Sequence, residues 1–418
     1  MRAQSSRLIL HNRHRLGQGL CIPGHFPASD RNRSSRIPRS VVVWLAYVLS
    51  MIRGIIASPA EQNASDSMRW WVGAGNKAAA LRVSRTGPVY FGALPSAVSM
   101  LSFKLVCART FYLPLGQSVF PVSKYRLMCE HLLKEGIAEP EDFVEPAPAS
   151  DEEILLVHTP EYAHKLRTGT LSESEACQLE VRYSRELVEA YWLCVGGTIL
   201  AADCALRDGV AFNISGGFHH AFPDHGEGFN LINDVAVAIR RMQKDGKIKT
   251  AMTVDCDVHH GNGTAAIFGI QNAAGLPQPE RLPYMRESPA RDVFTISLHQ
   301  ENNYPAWKPP SSIDVGLPNS IGDDEYLAWL EKALMSGLQR FQPDLMCYLA
   351  GSDPYRGDLL GGLALTIEGL KRRDEFVFRT AKARGIPVLA LPAGGYASDV
   401  RDTVTIHCNT VVAAFQHS

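Results

Sequence analysis

Cysteine is too sparse and too scattered to organise this chain. Nine cysteines among 418 residues stand singly, with an odd total and no C-x-x-C pair, which excludes a disulfide framework and a thiolate zinc site. A reducing compartment, the cytoplasm, is the expectation. Long apolar runs are scarce too. The run VVVWLAYVLSMIRGIIA at 41–57 is shorter than the about 20 residues a membrane span needs and carries Arg53, so no stable span is expected. The chain has no repeat of fixed period, no long low-complexity tract and little net charge, −1 overall. Basic residues also thin out after residue 100: 13 Lys and Arg face 3 acids before it, and 29 face 40 beyond it. The acidic remainder disfavours direct nucleic-acid binding, which depends on clustered Lys and Arg, and suits a basic peptide or an amine product.

With 45% hydrophobic and 20% charged residues, the chain can bury at least one large core. Residues 1–100 are a poorly patterned basic extension containing the short apolar segment 41–57. A secretory signal, with small residues Ala57-Ser58-Pro59-Ala60 behind it, an organelle transit segment and a plain disordered extension all fit that composition. From 101 to 418 the sequence reads as one catalytic domain.

In that body, short apolar runs alternate with amphipathic stretches, the pattern of parallel strands joined by crossover helices. Helices are expected at 122–135, from Thr159-Pro160 to Gly169, and at 231–245, 323–340 and 366–384. Strands are expected at 209–215, 250–256, 293–298, 345–350 and 386–391. They are apolar on both faces, as buried parallel strands are. The fold expected is α/β: a single open, mostly parallel sheet flanked by helices on both faces. A poorly patterned stretch, 270–292, is expected to pass over the surface as a loop. Each strand is followed by polar residues: His219 and His220; Asp255, Asp257, His259 and His260; His299; Asp353; Tyr396. Ligands bind at the carboxyl edge of an open parallel sheet, so the five sets should converge there.

Asp257 and His259, in VDCDVHHGNG, are two apart on an extended segment and leave it on the same side. Asp353, in AGSDP, can add a third ligand. Two carboxylates and one imidazole suit Zn2+ and similar ions, and three protein ligands leave a position open, as catalytic sites do. In GGFHHAFPDHGEGFN (216–230), adjacent histidines can form an acid and base pair, with Asp255 a candidate orienting partner for His219 and Asn262 for His220. Either histidine could instead bind the metal. Tyr396, in PAGGY, can donate to an oxyanion, or simply cap the sheet edge.

With these motifs in order, together with FPVSKYRLM, TISLHQ and AGSDPYRGDLLGGLALT, the chain resembles the histone deacetylase family of the arginase-deacetylase superfamily, nearest its class IV and bacterial branch. The resemblance covers about residues 104–410 and implies a three-layer fold. It implies Zn2+ on Asp257, His259 and Asp353, paired catalytic histidines His219 and His220, and Tyr396 polarising the acyl oxygen. It also implies an acetyl-lysine tunnel lined by Gly228 and Phe229, with Tyr304 in a more divergent loop. A potassium ion would sit near the zinc at Asp255, Asp257, His259, Ser297 and Leu298. Two departures stand out. Asn262 replaces the Asp that many members place behind the second histidine, and Ser352 replaces a small apolar residue.

The reaction expected is hydrolysis of the acetyl amide of acetyl-lysine, giving acetate and a free amine. Acetylated polyamines or other small amides are alternative substrates. A dinuclear manganese ureohydrolase, which needs further bridging carboxylates, and a catalytically silent acetyl-lysine reader are the rival functions.

Overall fold

The computed structural model describes residues 101–108, 114–115, 118–269, 285–287 and 292–417. Residues 1–100, including 41–57, and most of 270–292 lie outside the described residues.

The chain starts β1 (Lys104–Val106), α1 (Ser123–Lys134), β2 (Phe143–Val144), α2 (Asp151–Ile154), α3 (Pro160–Thr168) and α4 (Glu173–Gln178). It continues through α5 (Arg185–Asp208), β3 (Val210–Asn213), α6 (Asp234–Lys244), β4 (Ala251–Asp255), α7 (Asn262–Phe268) and β5 (Met285–Glu287). Then come β6 (Val293–Gln300), β7 (Ile313–Leu317), α8 (Asp323–Arg340), β8 (Leu345–Leu349), α9 (Ile367–Lys382), β9 (Val388–Leu391) and α10 (Val400–His417). Local chemistry sets several boundaries. Thr159 accepts the Tyr162 N–H at 3.3 Å ahead of Pro160, and Gly169 ends α3 in the left-handed region. Asn233 and Thr366 cap α6 and α9 in the same way.

The strands form one sheet in the order β2-β1-β3-β9-β8-β4-β6-β7-β5. Every pairing is parallel except β5 with β7. The five expected strands are all present, near the centre of the sheet. Three residues of the expected surface loop, Met285–Glu287, instead make an antiparallel edge strand. Alternation along each strand divides its side chains between two cores. Val210, Phe212, Met346, Tyr348, Val388 and Ala390 enter one. Ala211, Cys347, Leu389 and Leu391 enter the other, with Ala202, Val235 and Ile239 from α5 and α6. Helices therefore cover both faces, as expected.

Among the described residues one helix, α5, is long and apolar enough to cross a membrane, yet 67% of its most apolar window lies inside the fold. That is how a core helix is placed.

A buried ion pair braces the central strands from below. Arg373 of α9 is fully buried and donates to the carbonyls of Gly351, at 2.6 Å, and Cys256, at 3.4 Å. These carbonyls follow β8 and β4. Its partner Asp374 accepts from Arg373 at 2.9 Å and from the hydroxyls of Tyr348 and Thr410 at 2.5 and 2.7 Å. Removing one member of such a pair leaves an uncompensated buried charge. Arg373→Met is expected to lower unfolding stability by about 3–5 kcal/mol, read as a fall in the urea midpoint. An unchanged midpoint would remove this brace from the account.

Candidate active site

The parallel sheet aims the ends of β4, β8 and β9 at one place. Strand β4 lies between β8 and β6, and β8 lies between β4 and β9. Asp257 and His259 follow β4, Asp353 follows β8 and Tyr396 follows β9. The ligand-capable atoms of Asp257, His259 and Asp353 lie within 4.8 Å of one another, and all three residues are buried. His259 Nδ1 is 3.0 Å from Asp257 Oδ1 and 3.3 Å from Asp353 Oδ2. Backbone groups hold the carboxylates in place: Val258 N–H donates to Asp353 Oδ1 at 2.8 Å, and Gly394 N–H donates to Asp257 Oδ2 at 2.7 Å. Gly394 has to be glycine. A Cβ there would lie 2.1 Å from Asp353 Oδ2 and 2.5 Å from Asp257 Oδ2. Ser352 is buried, its hydroxyl 3.5 Å from the Gly394 carbonyl.

Asp353 Oδ2 is the informative atom. It is buried and, among the described residues, has no hydrogen-bond partner. Burial and the nearby Asp257 charge push the Asp353 carboxyl up to about 7. Burial works against a charged His259, but Asp257 and Asp353 more than offset it and hold the imidazole at about 10. The cluster thus sets two carboxylates around one imidazole in a dry place, and a divalent cation in place of the imidazole proton would satisfy the orphaned oxygen.

Beside this trio stands the histidine pair. His219 Nδ1 is 2.7 Å from Asp255 Oδ2, His220 Nδ1 is 2.7 Å from Asn262 Oδ1, and the two Nε2 atoms face each other at 3.1 Å. His219 Nε2 is 3.9 Å from Asp257 Oδ1. Burial opposes protonation of His219, yet Asp255 and Asp257 raise it to about 9. Burial and the charges of His219 and His259 drive His220 well below its ordinary value. The two rings are thereby unequal: His219 holds a proton and His220 is left neutral.

Aromatic residues wall the site. Tyr396 stands edge-on to His259 with ring centroids 6.1 Å apart, and Phe120 and Phe229 pack against Tyr396 at 5.8 and 6.3 Å. Tyr304 lies 5.1 Å from His220 and 6.2 Å from His259. The Tyr396 hydroxyl has no hydrogen-bond partner among the described residues, while its backbone N–H donates to Asp358 Oδ2 at 2.7 Å. Gly228 and Phe229 lie in the same wall, and Tyr191 of α5 donates to the Phe229 carbonyl. Strand register sets Asp255 opposite Ser297, with Leu298 next along β6.

Two expected members, His299 and His260, do not arrive. His299 is buried away from the trio, its Nδ1 3.0 Å from Ser297 Oγ and its ring 4.6 Å from that of His260. His260 in turn reaches Asp314 Oδ1 at 3.0 Å. His299 and Gln300 extend β6 beyond the expected strand, so His299 is a sheet residue and not part of the edge. Several residues were not anticipated. Lys124 of α1 is fully buried and donates to the Ala393 carbonyl at 2.7 Å. Burial lowers its pKa to about 8, while Asp353, Asp257 and Asp358 favour its charge. Asp234 accepts from the N–H groups of Gly217 and Phe218 and from Thr198, which fixes the loop leading into His219. Glu227 accepts from Asn262 and from Tyr304. Its place directly before Gly228-Phe229 was the one signal available for it.

The comparisons with known proteins agree with this geometry. A family model described as histone deacetylase domain matches residues 118–411. An uncharacterized protein of Picosynechococcus is 40% identical over 288 residues, covering 69% of this chain and 90% of its own. Histone deacetylase 2 of Arabidopsis thaliana is 33% identical over 286 residues, covering 66% and 69%. A crystal structure of an HDAC homolog complexed with SAHA aligns with a TM-score of 0.60 at 25% identity, covering 74% of this chain and 82% of its own.

Proposed function

Since the chain belongs to the histone deacetylase family, we propose that it is a zinc-dependent deacetylase acting on the acetyl amide of acetyl-lysine, with acetate and a free amine as products. The observation that carries the reading is the buried, unpartnered Asp353 Oδ2 facing His259 and Asp257, flanked by an imidazole pair and a phenol. Asp257, His259 and Asp353 would hold the ion. When bound there, Zn2+ supplies Lewis acidity toward an amide carbonyl and a water.

The chain's own residues do the rest. His220 keeps an unprotonated Nε2, since its Nδ1 faces an acceptor, Asn262 Oδ1; it is the base that takes a proton from water and later delivers it to the leaving amine. His219, held by Asp255, keeps its proton and lends positive charge beside the developing oxyanion. The Tyr396 hydroxyl donates to that oxyanion. Phe229, Gly228 and Tyr304 form the walls along which a lysine stem would lie. A potassium ion at Asp255, Ser297 and Leu298 belongs to the same proposal.

The mononuclear reading is favoured over a dinuclear manganese enzyme because the neighbouring carboxylates are engaged. Asp255 is taken by His219 and by the Asp257 N–H, and Asp358 by the N–H groups of Leu360, Gly361 and Tyr396. The test is metal analysis of the purified chain with assays on acetyl-lysine peptides, acetylated polyamines and guanidino substrates. About one zinc per chain is expected, with acetate released from acetyl-lysine, loss of activity on chelation and recovery on adding Zn2+. Two manganese ions with urea as product would overturn the proposal. Acetate release confined to polyamines would move the substrate.

A further inference from the structure

The two histidines are backed differently. His219 has a carboxylate behind it, whereas His220 has the neutral amide of Asn262. An amide alone is a poor orienter, because its oxygen and nitrogen ends are nearly the same size and a flip exchanges an acceptor for a donor. With the nitrogen end toward His220, Nδ1 would have to accept, and the ring would be locked into the tautomer with its proton on Nε2.

Glu227 removes that ambiguity. Its Oε2 is 3.1 Å from Asn262 Nδ2, and its Oε1 accepts the Tyr304 hydroxyl at 2.8 Å. An ionised carboxylate offers only acceptors, so it binds the nitrogen end of Asn262 and repels the oxygen end. The oxygen end is then left for His220. The Tyr304 hydroxyl fixes the carboxylate from its other side. The neighbouring turn is tight enough to keep this alignment: Gly228 has φ +53, and a Cβ there would fall 2.8 Å from His220 Cδ2.

We propose that Glu227 and Asn262 act as one negatively charged orienting unit for His220, with Glu227 as a positioning residue that fixes the Asn262 amide and thereby the His220 tautomer. The carboxylate missing directly behind the second histidine is present one residue further out. Tyr304 then has two duties, as a wall of the site and as the anchor of that carboxylate. The inference rests on the deacetylase reading for its catalytic consequence, but its structural claim stands apart from any substrate.

The experiment has two arms on the full zinc-loaded chain. In the first, 15N NMR of the imidazoles reads the His220 tautomer, with the proton on Nδ1 expected in the parent protein and a mixture in Glu227→Gln. A neutral His220 carrying its proton on Nε2 in the parent protein overturns the inference without any variant. The second arm is a cycle of Glu227→Gln, Asn262→Asp and the double variant on an acetyl-lysine peptide. Glutamine can face Asn262 with either end, so Glu227→Gln is expected to lower kcat about tenfold with KM within about twofold, a fraction of what a positioned acid–base group contributes. Asn262→Asp sets two carboxylates against each other and is expected to lose a similar factor. The double variant returns one charge to the unit and is expected to recover to within about threefold of the parent. Losses that simply multiply, or an effect of Glu227→Gln confined to KM, overturn it. An inactive parent protein with the Nδ1–H tautomer intact would count against the deacetylase reading and leave the positioning claim standing.

Discussion

Asp353→Asn is expected to abolish metal binding and lower deacetylase activity by about 10³-fold or more, from the several kcal/mol that a catalytic cation contributes to the transition state. Oδ1 of this residue is occupied by the Val258 N–H, so Oδ2 is the atom free to bind. In asparagine that position becomes half of a neutral amide. The metal-free fold should not suffer, because the substitution removes a buried charge lying close to Asp257. Metal analysis and thermal melting check both halves: zinc near zero, and a metal-free Tm no lower than that of metal-free parent protein. A variant that keeps its zinc and its turnover would remove Asp353 from the ligand set.

Tyr396→Phe separates the second function from the first. It leaves the three ligand atoms untouched, and the Tyr396 backbone still donates to Asp358. Zinc content and KM should therefore hold. The loss falls on kcat, by about 10²- to 10³-fold, the scale for deleting one oxyanion donor. Normal kcat on an acetyl-lysine peptide with zinc bound would mean that the phenol only lines the wall. Together the two variants distinguish a missing ion from a missing proton donor, which a single activity measurement cannot do.

The fold was legible wherever burial was uniform and short. The strands at 251–255, 293–300 and 345–349 stand out because both their faces are buried, so their residues form mostly apolar runs between turns. Helix α5 escaped for the same reason. Most of its residues are buried on more than one side, so it has no clean polar stripe, and Gly196-Gly197 in its middle reads as a breaker. Gly196 is there because a Cβ would fall 1.9 Å from the Ala147 carbonyl, a tertiary fact with no local signature. Strands β1 and β2 escaped because two or three residues are too few to display a period, and β7 because Asp314 and Gly316 interrupt its apolar residues.

Within the site, motif spacing was enough to bring Asp257, His259 and Asp353 together and to pair His219 with Asp255 and His220 with Asn262. It misplaced His299 because β6 runs on past residue 298. It passed over Glu227, Lys124 and Asp358 because each acts through a partner distant in sequence. Glu227 meets Asn262 across 35 positions and Tyr304 across 77; Lys124 meets Ala393 across 269.

The sheet order also ties the assembly of the proposed metal site to the order of chain synthesis. Strand β4 precedes β8 and β9 in the chain, yet it sits beside β8, and β8 sits beside β9. Gly394, which braces Asp257, lies beyond β9. A ribosome-bound chain that has released only its first 350 residues holds two of the three proposed ligands and lacks the Gly394 N–H that braces Asp257. Loading of the proposed cation would thus wait until residues 353 and 394 have both emerged.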